Sequence, residues 1–492
     1  MQSHKLRNRL VAATVLSSAF WSNAAWADCV SQAPVNPEQV VCDAPGTNGW
    51  DGSATNAIVV TVNSSGTVSS SVGGPALIST GTNSAVINFS GLFDDTTGNA
   101  TYGIDAGSSS DPAISVGGGS VVTNNSGAAI LGSVSFGNAT GSATNVLSNG
   151  YSNGGGINHI GLIDGDVTAQ GNFTFNNAGI MGWNANISVT QTGAGTVTIN
   201  NGIDGGYLNS FSAYNYQNGI IWGSGGTAIS TEGSTTLVNH GGGGNRGGLI
   251  AGDIILGTNG TGTSSLTNGS ATYGNATIIG NVTMADLHNT ITNDGTITGD
   301  VTMNGTGSNT YNAGSLGSSG DNGLRLPGSQ INGLGAPTGT VSGTLTGLAG
   351  NAANNVLNLN GLNTSTLQVG STIENFGVVN KNDSGTWIIK STLDGNSGKL
   401  TTVNNNAGVL SVDNASFLGT AATTVHNNTF GAGVGGLIFN GTAAGTFAGN
   451  IDGTGSVGVT GANATTLTGT NTYTALTYVY TGGVLNANSN GA

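Results

Sequence analysis

Thr277-Ile278-Ile279-Gly280-Asn281-Val282-Thr283-Met284 is followed, after a polar spacer, by Thr296-Ile297-Thr298-Gly299-Asp300-Val301-Thr302-Met303. The two copies align without a gap at an offset of 19 residues. In each, a short β-branched run meets a glycine followed by Asn or Asp, and a second β-branched run follows. Looser copies are Ile163-Asp164-Gly165-Asp166-Val167, Ile250-Ala251-Gly252-Asp253-Ile254 and Ile130-Leu131-Gly132-Ser133-Val134. One such unit cannot bury its apolar face without a neighbour, so a unit recurring at roughly 20 residues predicts a solenoid. The expected fold is all-β, a right-handed parallel β-helix with irregular rungs and loop insertions. Ile130, Val134, Ile163, Val167, Ile250, Ile254, Ile278, Val282, Ile297 and Val301 are expected to point into its core. Members of a pair are four residues apart, which strand alternation places on one face. The glycine between them is free to bend the chain towards a corner.

Composition agrees with this. Glycine is 88 of 492 residues, about 18% against a usual level near 7%. Charged residues are only 6%, and Asn, Thr and Ser take their place at the surface. Disordered chains combine low hydrophobicity with high charge. Here Val, Ile and Leu recur in short regular runs instead, and mean hydropathy is slightly positive. Stacking rungs of about 20 residues at ~4.8 Å gives a rod on the order of 100 Å long.

The first residues read as an export signal. Lys5, Arg7 and Arg9 precede the apolar run Leu10–Phe20, and Ala25-Trp26-Ala27 supplies a small-x-small cleavage site before Asp28. The apolar run is too short for a membrane span. Of 8 Lys and Arg against 22 Asp and Glu, only the three basic leader residues are lost on cleavage between Ala27 and Asp28, which leaves a charge near −17. Nucleic acid needs clustered cations, and the five that remain are scattered, so nucleic acid is excluded as a partner. Anionic lipid is disfavoured on the same grounds.

Cys29 and Cys42 are the only cysteines, and an exported chain is expected to join them. A disulfide there would clip the open first rung of the solenoid. Strands begin at Ile58-Val59-Val60-Thr61-Val62, and turn dipeptides return along the chain, among them Asn201-Gly202, Asn268-Gly269, Asp294-Gly295 and Asn304-Gly305. In an antiparallel sandwich these would be hairpins; in a stacked solenoid they mark corners, where Asn also forms ladders from rung to rung. Two stretches break the rung pattern: Tyr207–Trp222, rich in aromatics, and the glycine-rich Asn239–Gly248. Insertions that project from a solenoid are where binding tends to reside, but aromatics packing a thick rung or a loop is the favoured reading of the first stretch.

After Gly350 the pattern shifts. Gly453-Thr454-Gly455-Ser456-Val457, Leu467-Thr468-Gly469-Thr470-Asn471-Thr472-Tyr473-Thr474 and Gly482-Gly483-Val484-Leu485 resemble the passenger-associated repeat of bacterial autotransporters. Ala475-Leu476 stands where that repeat has Gly-Gly. The Ile-x-Gly-Asp-Val rungs and the Cys-containing start resemble autotransporter passengers as well. The resulting division is a leader at 1–27, a cap at 28–56 with Cys29 and Cys42, a solenoid of Ile-x-Gly-Asp/Asn-Val rungs at 57–350, and a C-terminal solenoid with passenger-associated repeats at 351–492. The resemblance implies an exported passenger without its membrane barrel. Its expected partners are an outer-membrane translocator barrel, supplied by further sequence, and an extracellular ligand or surface glycan. Its expected place is the cell surface, or the periplasm if the chain is truncated.

Motifs for catalysis are weak. Asn382-Asp383-Ser384-Gly385 holds the Asp-Ser-Gly found around a chymotrypsin-like nucleophile, but no His stands in a recognisable motif and a turn before the Trp387 strand explains it. Asp164 and Asp166, with His159 nearby, are candidates for a cation or paired carboxylates. Asp253 and Asp300 occupy the slot of Asp166, which points to turn chemistry. No cofactor, metal or catalytic residue is expected. The functional expectation is a structural, adhesive surface rod. The alternative is a secreted β-helical polysaccharide-active enzyme, a lyase or glycosidase.

Overall fold

The computed structural model describes residues 29–487, apart from 33–37, 44, 47–49, 52–57, 71–75, 80, 95–98, 151–159, 183–185, 203–218, 242–246, 273–275, 315–339, 342, 368–372, 395–396 and 431–435. Within it each coil has three sides. In the coil that opens at Thr277 the first side is Thr277–Ile279, the second Val282–Met284 and the third His288–Asn293. The next coil lies in parallel register on it: Ile278 faces Ile297, Val282 faces Val301 and His288 faces Ser308. The 19-residue repeat of the sequence is therefore one full turn of a parallel β-helix.

All ten aliphatic residues expected in the core are fully buried. They reach it by a route that simple alternation does not describe. Ile278 and Val282 lie on two sides of a corner, so both point inwards although the strand is broken between them. Glycine makes that corner possible. A Cβ on Gly280 would stand 2.3 Å from the carbonyl oxygen of Gly252, and Gly252 and Gly280 have φ of +125° and +149°. The residue after the glycine ties one coil to the next. Asn281 N donates to Asp253 Oδ1 (2.8 Å), Asp300 N to Asn281 Oδ1 (2.9 Å) and Thr344 N to Asp300 Oδ1 (2.7 Å). Only Oδ1 is used, which is why Asn and Asp alternate freely at this slot.

The third side runs without a break, one strand per coil, from Glu38–Cys42 to Asn450–Asp452. At ~4.8 Å per coil this sheet is about 70 Å long. That is shorter than a uniform 20-residue rung implies, because insertions lengthen several coils without adding height. The shift in pattern near residue 350 is a change of cross-section. Among the described residues the first side ends at Thr340–Val341, and a six-stranded parallel sheet opens at Thr364–Leu367 and ends at Thr477–Val479. The third side continues straight through: Ser308–Ala313 pairs with Asn355–Leu359, which pairs with Val378–Lys381.

At the other end Cys29–Gln32 runs antiparallel to Glu38–Cys42, and a disulfide joins Cys29 to Cys42. This hairpin covers the first edge of the third side. Ala27 and Asp28, the expected cleavage site, lie outside the described residues.

Candidate functional site

The third side is held in register by a buried amide spine. Its last inward position is Asn88, Asn124, Asn149, Asn177, Asn201, Asn239, Asn268 and Asn293 in successive coils, all fully buried or nearly so. Each Nδ2 donates to the Oδ1 of the next at 2.8–2.9 Å. The other N–H goes to a backbone carbonyl across the corner, as from Asn268 to Thr296 O at 3.1 Å. Asn293 closes the row on Tyr311 Oη at 3.1 Å. Burial pushes the Tyr311 hydroxyl above its usual pKa and keeps it a neutral acceptor. A slip of one residue would turn a coil's carboxamide outwards and leave those of the adjoining coils buried without their partner, at roughly 1–3 kcal/mol each, so the spine fixes which residues face outwards.

Those outward residues form a flat array. Each coil presents at least two of them, two residues apart in the strand, such as Thr198 and Asn200, Thr290 and Thr292, Thr310 and Asn312, or Thr402 and Asn404; the longer strands add a third before these, Thr196, Ser234, Thr263, His288 and Ser308. From Thr174–Asn176 to Thr402–Asn404 the two shared positions hold only Thr, Ser, Asn and Val, nearly all half-buried. Over its last coils the second column is itself hydrogen-bonded. Asn404 Nδ2 donates to Asn380 Oδ1 (2.8 Å), Asn380 to Asn358 (2.9 Å), Asn358 to Asn312 (2.7 Å) and Asn312 to Thr292 Oγ1 (3.0 Å). The column then changes character: His426 and Asp452 follow in register, with Nδ1 and Oδ1 2.6 Å apart and both side chains about 40% exposed. Their 26-residue separation in sequence gave no signal of this pair.

The irregular stretches occupy one place in the order of the coil. The segments 89–103, 150–159, 202–219, 240–248 and 314–339 each stand in the sequence between the third side of one coil and the first side of the next. Where the described first side begins, its outer surface is apolar. Leu162, Ile180, Ile220 and Leu249 align from coil to coil and are buried with Ile160 beneath Tyr102 and Trp222. Trp222 thus packs on the outside of the rod. The aromatics Tyr207, Phe211, Tyr214 and Tyr216 fall outside the described residues, as does His159.

The acidic candidates serve the frame. Asp166 Oδ1 accepts from Ser188 N at 2.7 Å, the same corner bond as at Asp253 and Asp300. Asp164 is buried and takes the Tyr102 hydroxyl at 3.3 Å. Asp383 Oδ2 accepts from Gly361 N of the preceding coil at 2.8 Å, and Asp383-Ser384-Gly385 is a bend that leads into the strand Thr386–Ile389. Among the described residues no group of three or more His, Cys, Asp or Glu could hold a metal. A polar recess of about 360 Å³ lies at the opposite corner beside Asn138, Gln170 and Asn172. Asn172 spends its N–H groups on the carbonyls of Gly141 and Ala143, so the recess is corner packing.

One of the five scattered cations is buried, which the sequence gives no sign of. Lys381 replaces asparagine in the spine position, between Leu359 and Asn405, and is fully buried. Its Nζ donates to the carbonyl oxygens of Asp383 and Ala407, the latter at 2.9 Å. Burial pulls its pKa down to about 8, against the opposing charge of Asp383. No protein-family model, curated protein or solved structure matches this chain.

Proposed function

We propose that this chain is the exported, surface-displayed passenger of an autotransporter, a β-helical rod that acts by adhesion. The observation that carries the reading is the third side: an uninterrupted sheet about 70 Å long whose outward positions repeat in register and hold no Asp, Glu, Lys or Arg from Thr174 to Asn404. Such a surface acts through many equivalent weak contacts. The insertions that recur in the sequence between the third side of one coil and the first side of the next support the same reading, since solenoids carry variable binding segments at one point of the repeat. In the passenger-like repeat, Asn471 Oδ1 accepts from Ile451 N at 3.1 Å and ties one coil to the next. That gives the Asn of the Leu-Thr-Gly-x-Asn-Thr-Tyr motif a structural reason. In this reading an outer-membrane barrel anchors the rod.

Expression of the whole chain in a Gram-negative host tests it. The exported protein should begin at Asp28, and surfaces coated with it should retain cells that surfaces coated with heat-denatured chain do not. A chain kept in the cytoplasm with its leader intact, or one that retains no cells, would overturn the reading. The His426–Asp452 pair favours the second reading, an enzyme on polysaccharide, because an Asp-held imidazole is the usual form of a general base. Release of new reducing ends from polysaccharide, abolished by His426→Ala, would establish it.

A further inference from the structure

We infer that the outer face of the third side, from Thr174 to Asn404, is a binding surface for a neutral, hydroxyl-rich linear polysaccharide lying along the axis of the rod. This ligand class rests on the reading of the chain as an adhesive rod and names what the rod holds.

Charge selects the occupant. The exported chain carries a formal charge near −17, yet the outward positions of this face hold no Asp, Glu, Lys or Arg, and His288, hydrogen-bonded to Ser308, is their one histidine. A polyanion is repelled by the molecule as a whole, and a polycation is drawn to the acidic residues that lie off this face. A second copy brings the same net charge against it. A neutral glycan meets neither penalty.

Hydrogen-bonding chemistry points the same way. Every threonine hydroxyl on the face both donates and accepts, and every carboxamide does the same, which is the complement of a sugar hydroxyl. The amide row from Asn404 to Asn312 is already ordered by its neighbours. Each of these Nδ2 groups spends one N–H within the row and has no second protein acceptor among the described residues. Groups fixed before binding lose little entropy on binding. The coils repeat at ~4.8 Å, close to the advance of one sugar ring in an extended chain, so one ring meets one coil. Single contacts of this kind are weak, and affinity therefore comes from the number of rings engaged.

Co-sedimentation of the exported chain with insoluble cellulose and insoluble mannan tests this, with alginate gel as the polyanion, at low and high salt. Binding to at least one neutral polymer is expected, independent of salt and competed at least tenfold better by long than by short oligosaccharides of that polymer. The double variant Asn358→Glu, Thr402→Glu should weaken it at least tenfold. Thr283→Glu, which places the same charge outward on the second side, should leave it unchanged. A thermal midpoint for each variant separates a lost face from a lost fold. Binding to alginate alone, no binding to either neutral polymer, or neutral binding untouched by the double variant would each overturn the inference. Lateral association of the chain at high salt that the double variant abolishes would make a second copy the occupant and overturn it too. Cells retained equally by the wild type and the double variant would sink the ligand class while leaving the adhesive rod standing.

Discussion

Gly299 lies one coil below Gly280, so close that a Cβ on Gly299 would stand 2.2 Å from the Gly280 carbonyl oxygen. Backbone cannot yield as a side chain does. Gly299→Ala is therefore expected to destabilise by about 3 kcal/mol or more. Gly350, whose Cβ would meet nothing within 4 Å, should accept alanine at a cost within about 1 kcal/mol. Denaturant unfolding of the two variants side by side checks the contrast.

The two asparagine rows should respond differently to truncation. Asn268→Ala removes a carboxamide that accepts from Asn239 and donates to Asn293 and Thr296, all in the core. It should cost about 2–4 kcal/mol. Tyr311→Phe removes only the acceptor at the end of the spine and should cost about 1 kcal/mol. Asn312→Ala on the half-exposed outer row should stay within about 0.5 kcal/mol. Thermal unfolding of the three variants gives the ranking, and equal losses at Asn268 and Asn312 would contradict a buried spine.

Lys381 makes stability depend on pH. Its folded pKa, about 8, lies below the usual 10.5. Between these values the unfolded chain binds the proton that the folded chain has released, so stability rises with pH through that window. Its contribution is present above the unfolded value and lost as pH falls through about 8. Relative to Lys381→Met, the wild type should gain about 2–3 kcal/mol between pH 7 and pH 10. Parallel unfolding curves at those two pH values test it, and the comparison cancels the titration of every other group.

The N-terminal clip should act locally. Cys29 and Cys42 are 13 residues apart, and closing so short a loop stabilises by about 3 kcal/mol at most. Replacing both by serine should open the Glu38–Cys42 strand first, then Ile58–Val62, with later coils unchanged. Hydrogen exchange resolved along the chain reads this order. Faster exchange throughout would show that the cap holds the whole rod.

The sequence by itself determined the coil. The gapless match of Thr277–Met284 with Thr296–Met303 gave the register that the structure shows. The glycine slot gave the corner, and the aliphatic residues on either side of it gave the core. These features are legible because each depends on neighbours a few residues away and recurs wherever a coil has no insertion. Cys29 and Cys42 were legible for a simpler reason, having no other partner.

The faces and the buried polar groups were decided only by the tertiary structure. Asn88, Asn124, Asn149, Asn177, Asn201 and Asn239 are separated in sequence by between 24 and 38 residues, so no fixed period exposes them. Stacking removes that irregularity, because parallel pairing keeps the third side in register from coil to coil whatever the length of chain between its strands. The same stacking places Lys381 in an asparagine position and His426 beside Asp452. A hydrogen-bonded sheet aligns residues by their place in the strand, however much chain lies between them, and sequence spacing does not record that place.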